Sequence, residues 1–202
     1  MFITFEGPEG CGKSTHAKRL KSYLEGKGKR VLLTQEPGGT QVGKKIREML
    51  LRPEMILDET TEVYLFAADR SEHVSKIILP ALAEGKSVIS DRFVDSTIAY
   101  QVGGRGLPED LVRYLNMHSS KGLAPDLTFL LDVSPEVGLK RALKRGAADR
   151  FEKEVLAFHR CVREAYRQIA KDNPQRIKVV ETDNRSIEEV QKIIRKIVDE
   201  KF

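Results

Sequence analysis

The feature that most constrains this chain is a glycine-rich run near its N-terminus, Gly7-Pro8-Glu9-Gly10-Cys11-Gly12-Lys13-Ser14. It matches the pattern G-x-x-x-x-G-K-S, with a short apolar segment before it and a helical pattern after it, as in a phosphate-binding loop. The glycines let backbone N–H groups turn towards a β-phosphate, Lys13 can reach the β- and γ-oxygens, and the Ser14 hydroxyl can bind Mg²⁺. The predicted nucleotide-binding residues are Gly7, Pro8, Glu9, Gly10, Cys11, Gly12, Lys13, Ser14 and Thr15.

Two other classes of nucleotide-binding protein fit the sequence poorly. A dinucleotide-binding turn would need a third glycine at the position of Thr15. A guanine-nucleotide switch would need a base-reading N/T-K-x-D segment on a late strand, but the apolar run Leu127–Asp132 continues into Val133-Ser134-Pro135. The loop therefore indicates nucleotide binding and leaves the reaction open.

Short apolar runs alternate with longer helical patterns along the chain, which is typical of a parallel sheet wrapped by helices. Nearly continuous apolar character indicates strands that are covered on both faces. The sequence predicts an α/β fold in one domain, residues 1–202, with a five-stranded parallel sheet flanked by helices on both faces. The expected strands are Phe2–Glu6, Val31–Thr34, Ser87–Ser90, Leu127–Asp132 and Ile177–Glu181.

Helix boundaries are marked by capping residues and prolines. The pattern predicts one helix from Lys13 to about Glu25 and a second from Thr60 to about Gly85, which Pro80 should kink or split. Pro108 and Ser134-Pro135 suit first helical turns. The segment Ser186-Ile187-Glu188-Glu189 predicts a capping box.

Composition argues against a membrane protein, a secreted protein and a protein stabilised by disulfides or a metal. The chain has 202 residues, of which 40% are hydrophobic and 32% charged, and no apolar run approaches the roughly 20 residues that cross a bilayer. The first residues lack the basic and apolar regions of a secretory signal. Cys11 and Cys161 cannot form a disulfide framework, and four scattered histidines argue against a structural metal. We expect a cytoplasmic protein with no membrane partner.

Charged residues at one strand end suggest a second part of the site. The run Ser87–Ser90 is followed by Asp91 and Arg92, and ligands of open α/β sheets bind at the carboxyl ends of strands. Asp91 would hold Mg²⁺ together with Ser14, while Arg92 would grip phosphate through its rigid fork. The alternative is a surface Asp–Arg pair of little energetic value.

A net charge of +5 permits nucleic-acid binding as well as a small anionic substrate. Most of the basic residues are interspersed with acidic ones, as on an ordinary solvated surface. Two sets are more suggestive of phosphate contacts and of an arginine-rich lid that closes over the reacting group. They are Arg47, Arg70 and Arg92, and the cluster Arg141, Arg145 and Arg150.

Five segments in order resemble the thymidylate kinase family over essentially the whole chain. They are the loop with Phe5-Glu6 before it, Glu36-Pro37-Gly38-Gly39-Thr40, Leu65-Phe66-Ala67-Ala68-Asp69-Arg70, Asp91-Arg92-Phe93 through Ser96-Thr97 to Tyr100-Gln101, and an arginine-bearing lid at about residues 141–152. The resemblance implies the P-loop nucleoside monophosphate kinase fold. It also implies transfer of the ATP γ-phosphate to dTMP for dTTP synthesis, Mg²⁺ as cofactor and a homodimer.

The resemblance also implies roles for individual residues at the dTMP site. Phe66 would stack on thymine, and Arg70, one helical turn later, would reach a base carbonyl; without the neighbouring motifs, Phe66 would be interpreted as a core residue. Thr97 would contact the base edge, and Tyr100 would pack below the deoxyribose. The implied substrate-binding set is Glu9 (on the sugar 3′-hydroxyl), Pro37, Arg47, Phe66, Arg70, Arg92, Thr97, Tyr100 and its neighbour Gln101.

The implied catalytic residues are Lys13, Asp91, Arg92, Arg145 and Arg150. In this family the lid supplies arginines when the loop has none, and Glu9 is followed here by Gly10. Arg141 ranks behind Arg145 and Arg150, because a helix-surface position explains it equally well. The acceptor phosphate is already anionic, so positioning and positive charge should suffice without a strong base.

Three departures from the family pattern limit these assignments. Gln35 stands where arginine is common, Phe93 replaces a common tyrosine, and Val102 rather than glycine follows Gln101. Two alternatives stay open: another pyrimidine nucleoside monophosphate kinase, and a P-loop switch or nucleic-acid-dependent ATPase, for which only the loop and the basic charge speak. The resemblance favours ATP and dTMP as partners, with no nucleic acid.

Overall fold

A computed structural model describes residues 1–144, 146 and 148–202, and it contains the five predicted strands. They form one parallel sheet in the order β2-β3-β1-β4-β5. Two strands run one residue beyond their predicted ends, to Gln35 and Asp91, because polar residues at a strand end carry no apolar signal. The strands are β1 (Phe2–Glu6), β2 (Val31–Gln35), β3 (Ser87–Asp91), β4 (Leu127–Asp132) and β5 (Ile177–Glu181).

Helices lie on both faces of the sheet, as predicted. On one face Ile3 and Phe5 of β1 pack in a core with Leu20 of α1 and Ile194 of α9. Separate apolar clusters cover the other face and include residues of α8 and of the segments that flank β3. The helices are α1 (Lys13–Gly26), α2 (Gln41–Leu51), α3 (Glu59–His73), α4 (Leu79–Ala83), α5 (Val94–Thr97), α6 (Glu109–Ser119), α7 (Pro135–Leu143), α8 (Leu156–Asp172) and α9 (Ile187–Lys201).

The helical segment predicted from Thr60 to Gly85 is interrupted, and the interruption precedes its proline. A π-helical stretch, Val74–Ile78, separates α3 from α4, and Pro80 lies in the first turn of α4. Proline has no N–H to donate and its ring crowds the carbonyl four residues earlier, so the regular ladder fails before the ring. A second π-helical stretch, Ile98–Gly104, was not predicted.

The predicted helix starts are confirmed with one shift. Ser186 and Glu189 form a complete capping box at the start of α9, and Ser134 precedes Pro135 at the start of α7. Pro108 occupies the N-cap position of α6 rather than its first helical turn. No helix within the described residues is both long and apolar enough to cross a membrane.

Most of the large apolar residues between Val63 and Ile78 are covered by their own chain. Val63, Val74 and Ile78 are fully buried, whereas Tyr64 is 52% exposed. Buried and exposed residues alternate with helical period, so a list of apolar residues does not separate the inner face from the outer one.

The phosphate loop rests directly on α7. A Cβ at Gly10 would lie 1.9 Å from the carbonyl oxygen of Gly138, and a Cβ at Gly138 would lie 2.3 Å from the carbonyl oxygen of Glu9. Because any side chain would clash with backbone, both positions require glycine. The contact joins the loop to the helix that leads into the lid segment.

Candidate active site

Parallel register gathers the carboxyl ends of three strands at one edge of the sheet. Phe5 pairs with Asp91 of β3, and Glu6 pairs with Leu130 of β4. The loop from Gly7 to Ser14 leaves β1 at this edge and enters α1. The predicted loop residues and the strand-end carboxylate are therefore neighbours, as in other open α/β sheets.

Lys13 folds back over the loop. Its ammonium donates hydrogen bonds to the carbonyl oxygens of Gly7 (3.0 Å) and Pro8 (2.9 Å) and lies 3.4 Å from the Cys11 sulfur. The side chain is only 7% exposed, yet it lines a polar cavity of about 1030 Å³ empty volume. We call this space the donor cavity; its other lining includes Gly10, Gly12, Ser14 and Thr15.

Cys11 turns away from that cavity into the core. It is 2% exposed and belongs to the apolar cluster beneath the loop. Burial raises the pKa of its thiol, against the opposing effects of the Lys13 and Arg92 charges. The charge of the neighbouring lysine does not make this thiol reactive, because loss of solvation dominates.

Ser14 and Asp91 meet at the donor cavity. The Ser14 hydroxyl donates to the Asp91 carboxylate, and both residues line the space beside Lys13. These are two hard oxygen donors of the kind that Mg²⁺ prefers. The described residues contain no cluster of three or more histidine, cysteine or acidic side chains suited to a metal. The donor set thus fits a cation whose remaining ligands are phosphate and water oxygens.

Arg92 lies where two cavities meet. Its φ of 72° places a non-glycine residue in the left-handed region, which typically costs about 1–3 kcal/mol. The side chain donates to Glu9 Oε1 (2.6 Å), to the Gly7 carbonyl (3.2 Å) and to Tyr100 Oη (3.2 Å). Burial would raise the pKa of Glu9, but the Arg92 and Lys13 charges outweigh it and lower that pKa to about 2.

The second space, which we call the acceptor cavity, has about 590 Å³ of empty volume, part of which is open to solvent. Aromatic side chains form one side of it. Phe66 and Tyr100 both lie against Phe151, with ring centroids 6.0 and 5.7 Å away. All the predicted substrate-binding residues line it: Glu9, Pro37, Arg47, Phe66, Arg70, Arg92, Thr97, Tyr100 and Gln101.

Most of the N–H groups of the Arg70 guanidinium donate hydrogen bonds to other residues of the chain. Its Nε donates to Glu36 (2.8 Å), and its Nη1 donates to Asn116 (2.5 Å). Its Nη2 donates to the Phe93 carbonyl (3.2 Å) and to Thr97 Oγ1 (2.8 Å). These bonds use four of the five N–H groups of a guanidinium. Arg70 and Thr97 therefore form one rigid corner of the acceptor cavity.

Arg47 and Arg92 converge on the wall between the cavities. Both line the two spaces, and Arg47 donates to the Pro37 carbonyl at 2.9 Å. Burial, followed by the charge of Arg92, lowers the pKa of Arg47. Two like charges held near each other form a natural anion site.

Gln101 and Tyr100 differ in how directly they face the acceptor cavity. Gln101 is 1% exposed and its Nε2 donates to Glu62 at 2.8 Å. Tyr100 donates its hydroxyl to Glu9 at 2.7 Å and carries the Arg92 guanidinium 5.0 Å above its ring. Gln101 thus supports the cavity wall, while Tyr100 joins the aromatic side to the charged one.

The lid arginines lie away from both cavities or outside the described residues. Arg150 donates to the Leu50 carbonyl (2.8 Å) and pairs with Glu62 (2.6 Å), and it lines neither cavity. Arg141 donates to the carbonyls of Thr182 and Asp183, both at 3.0 Å. Arg145 is outside the described residues.

Sequence reasoning missed several residues at the site. Phe151 forms part of the acceptor wall, and Asp149 lines both cavities. The only sequence feature that pointed to Asp149 and Phe151 was their position next to Arg150 in the lid segment. A third space of about 640 Å³ borders Gly12 and Thr15 on one side and a late loop on the other, and nothing in the sequence indicated it. Its remaining lining includes Arg141, Thr182, Arg185, Ser186 and Ile187.

Comparison with known proteins gives a consistent result. A family model described as thymidylate kinase matches residues 5–194. The chain is 46% identical over 195 residues to a thymidylate kinase of Hahella chejuensis, covering 96% of this chain and 93% of that one. It is 49% identical over 189 residues to a thymidylate kinase of Desulfosudis oleivorans, covering 90% and 88%. A crystal structure of thymidylate kinase from Ehrlichia chaffeensis superposes with a TM-score of 0.81 at 37% identity, covering 98% of each chain, which confirms the predicted fold class.

Proposed function

Because this chain belongs to the thymidylate kinase family, we propose that its donor and acceptor cavities bind ATP and dTMP side by side. The enzyme transfers the γ-phosphate of ATP to dTMP, giving dTDP and ADP, a step towards dTTP. The observation that carries the site assignment is the shared wall: Glu9, Arg47 and Arg92 line both cavities. A phosphate held there would face the P-loop and the aromatic pocket at once.

On the donor side, the loop N–H groups and Lys13 would bind the β- and γ-phosphates. Lys13 now bonds loop carbonyls, so it would exchange those contacts for phosphate oxygens. Ser14 and Asp91 would hold Mg²⁺, which when bound neutralises charge on the phosphate oxygens. The adenosine end would extend past Thr15 into the third space, beside Arg141 and Thr182.

On the acceptor side, Phe66 would stack on thymine, and the corner made by Arg70 and Thr97 would contact the base edge. Pro37 would form part of the wall. Tyr100 would pack below the deoxyribose, where its ring leaves little space for a 2′-hydroxyl. Glu9 stays ionised because its pKa is lowered to about 2, so its carboxylate would accept a hydrogen bond from the 3′-hydroxyl.

Arg47 and Arg92 would hold the acceptor phosphate between them. That phosphate carries its own negative charge, so the protein would contribute alignment and positive charge rather than a base. Arg145 and Arg150 would add charge from the lid as it closes. For Arg150 this requires leaving Glu62 and the Leu50 carbonyl.

Further proposals concern the partners of the enzyme. A homodimer would use the exposed apolar residues of α3 and α6, which include Tyr64, Tyr114 and Met117 at 52–59% exposure. Sedimentation velocity would test it, because a purely monomeric protein at micromolar concentration would contradict the proposal. The cytoplasmic location, and the expectation that neither nucleic acid nor a membrane is a partner, rest on composition and on the family.

An acceptor screen tests the function. ATP and Mg²⁺ are mixed with the enzyme and with dTMP, dUMP, UMP, CMP or AMP, and ADP release is followed. We expect dTMP to give the highest kcat/KM. A strong preference for another pyrimidine monophosphate would overturn the base-pocket assignments, and turnover that depends on DNA or RNA would support a nucleic-acid-dependent ATPase. Replacing Mg²⁺ with a chelator should abolish turnover.

A further inference from the structure

The peptide bond that follows Arg92 is held by two side-chain hydrogen bonds, one from Ser90 and one to Glu6, which we call the clamp. The carbonyl oxygen of Arg92 accepts a hydrogen bond from the Ser90 hydroxyl at 2.8 Å. The N–H on the other side of that bond, which belongs to Phe93, donates to Glu6 Oε1 at 2.7 Å. Arg92 itself has the φ of 72° that non-glycine residues rarely adopt. Both polar groups of the peptide that follows the strained residue therefore have buried side-chain partners.

Glu6 has no other evident task in the site. It is the last residue of β1, it is 1% exposed, and it lines neither the donor cavity nor the acceptor cavity. Its second oxygen accepts from the hydroxyls of Ser96 and Tyr166. Those same hydroxyls lie 3.2 Å from Arg92 Nη1. One buried carboxylate thus holds the backbone after Arg92 and the hydroxyl groups that seat its guanidinium.

We propose that Glu6 and Ser90 are positioning residues that hold Arg92 in its left-handed conformation and thereby aim its guanidinium at the acceptor phosphate. Without the clamp the Arg92–Phe93 peptide would relax towards an ordinary conformation, and the side chain would leave the wall between the cavities. Side chains that fix a functional residue in this way are needed wherever a shift of about 1 Å costs activity. The proposal rests on the assignment of Arg92 to the acceptor phosphate.

The surroundings of Glu6 are consistent with a held carboxyl group. Burial, and next the charge of Asp95, raise the pKa of Glu6 to about 7, against hydrogen bonds from Ser96 and Phe93 and the charge of Arg92. Asp95 is itself paired with Arg176, at 2.7 and 2.8 Å. A carboxyl group kept at such a cost of desolvation would be an unfavourable choice for core packing alone.

The test compares Glu6→Gln and Ser90→Ala with matched controls. Thr4→Val changes a buried polar residue two positions earlier on the same face of β1, and Ser87→Ala changes a buried serine of β3 that is remote from Arg92. We expect both clamp variants to lower kcat/KM for dTMP about tenfold to a hundredfold, with KM for ATP changed less than threefold. The controls should keep kcat/KM within about threefold, whatever they do to the melting temperature. Equal losses in clamp and control variants would overturn the proposal.

A double-mutant cycle with Arg92→Ala separates positioning from general structural damage. If Glu6 acts through Arg92, then Glu6→Gln should cause little further loss once Arg92 is gone. A full additional loss in that background would contradict the inference. If Arg92→Ala alone leaves kcat/KM for dTMP unchanged, the assignment of Arg92 fails instead. Should Glu6→Gln not fold, Ser90→Ala tests the same peptide from its other end.

Discussion

The donor and acceptor cavities share a wall but are built in different ways. The phosphate-binding part of the donor cavity is one continuous stretch, Glu9 to Thr15, with Asp91 added from the adjacent strand, while the rest of its lining comes from the segments after β2 and β3, from α2 and from the lid segment. The acceptor cavity draws side chains from the segments after β2 and β3, from α2 and α3, from a π-helical stretch and from the lid segment. Its key corner is held by buried ion pairs and hydrogen bonds between residues 23 to 46 positions apart.

This difference indicates what a substitution should do on each side. Where backbone groups and one mobile cation bind the ligand, changing a side chain removes chemistry and leaves the fold intact. Where buried side chains support one another, the same kind of change removes binding and stability together.

The largest effect on turnover is expected from Lys13→Ala. Loss of the cation at the β/γ-phosphates should lower kcat at least about a hundredfold to a thousandfold, by analogy with loss of a preorganised electrostatic donor. The melting temperature should barely change, because the ammonium now bonds only loop groups. Steady-state kinetics and calorimetry check this, with the exposed Lys18→Ala on the same helix as control. A nearly normal kcat would contradict the donor assignment.

The largest effect on stability is expected from Arg70→Ala. Removing the guanidinium leaves buried Glu36 without its 2.8 Å partner, so unfolding should become easier by about 3–5 kcal/mol. Urea denaturation measures the change. Arg113→Ala removes an exposed arginine of α6 that is paired with Glu109 and should change stability by less than about 0.5 kcal/mol. Similar stability of the two variants would mean that the acceptor corner is not the buried network described above.

A smaller effect is expected from Phe66→Ala. Loss of stacking should weaken dTMP binding by about 1–3 kcal/mol, which is roughly fivefold to 150-fold in Kd, with ATP affinity unchanged. Isothermal titration with each nucleotide measures this. Phe66→Leu keeps apolar volume without an aromatic face and should recover only part of the affinity. If dTMP affinity is unchanged while stability falls, Phe66 belongs to the core.

The smallest effect is on the pH dependence of stability, and it comes mainly from the carboxyl groups of Glu6 and Glu9. The pKa of Glu6 is raised to about 7, so its contribution to stability is fully present below its unfolded pKa and is lost as pH rises towards 7 and above. Between pH 6 and 8 the free energy of unfolding should fall by about 1 kcal/mol from this group. Asp69, whose pKa is raised to about 6, adds a weaker decrease of the same sign.

Glu9 behaves in the opposite way. Because its pKa is lowered to about 2, the stability that it contributes is present above its unfolded pKa and is lost as pH falls towards 2. Denaturation of the ligand-free enzyme at several pH values separates the contributions of Glu6 and Glu9 to the free energy of unfolding. Glu6→Gln should reduce the decrease in the free energy of unfolding between pH 6 and 8. It should leave the loss of stability at low pH unchanged. If Glu6→Gln left the neutral limb as steep as before, Glu6 would not be its source.

The same contrast explains what the sequence could predict. Strands were placed within one residue because apolar runs between glycines and charged residues have few other interpretations. The donor side followed from contiguous residues whose chemistry depends on spacing, and Asp91 followed from its place at a strand end. These inferences are local or need only the register of a parallel sheet.

The acceptor side could not be derived in that way. Phe66 and Thr97 carry no local signal. Charge alone marked Arg70 as a candidate phosphate contact, whereas its guanidinium bonds Glu36, Asn116, Phe93 and Thr97. Only the family resemblance brought the three residues together. The left-handed backbone at Arg92 and the pairing of Arg150 with Glu62 were also missed. Each depends on partners distant in sequence, which propensity and periodicity do not register.

The contact between Gly10 and Gly138 has a consequence for how this enzyme can change. The two backbones are in direct contact with no side chain between them, so α7 and the phosphate loop should move together. For anyone redesigning the lid, position 138 therefore belongs in effect to the phosphate loop.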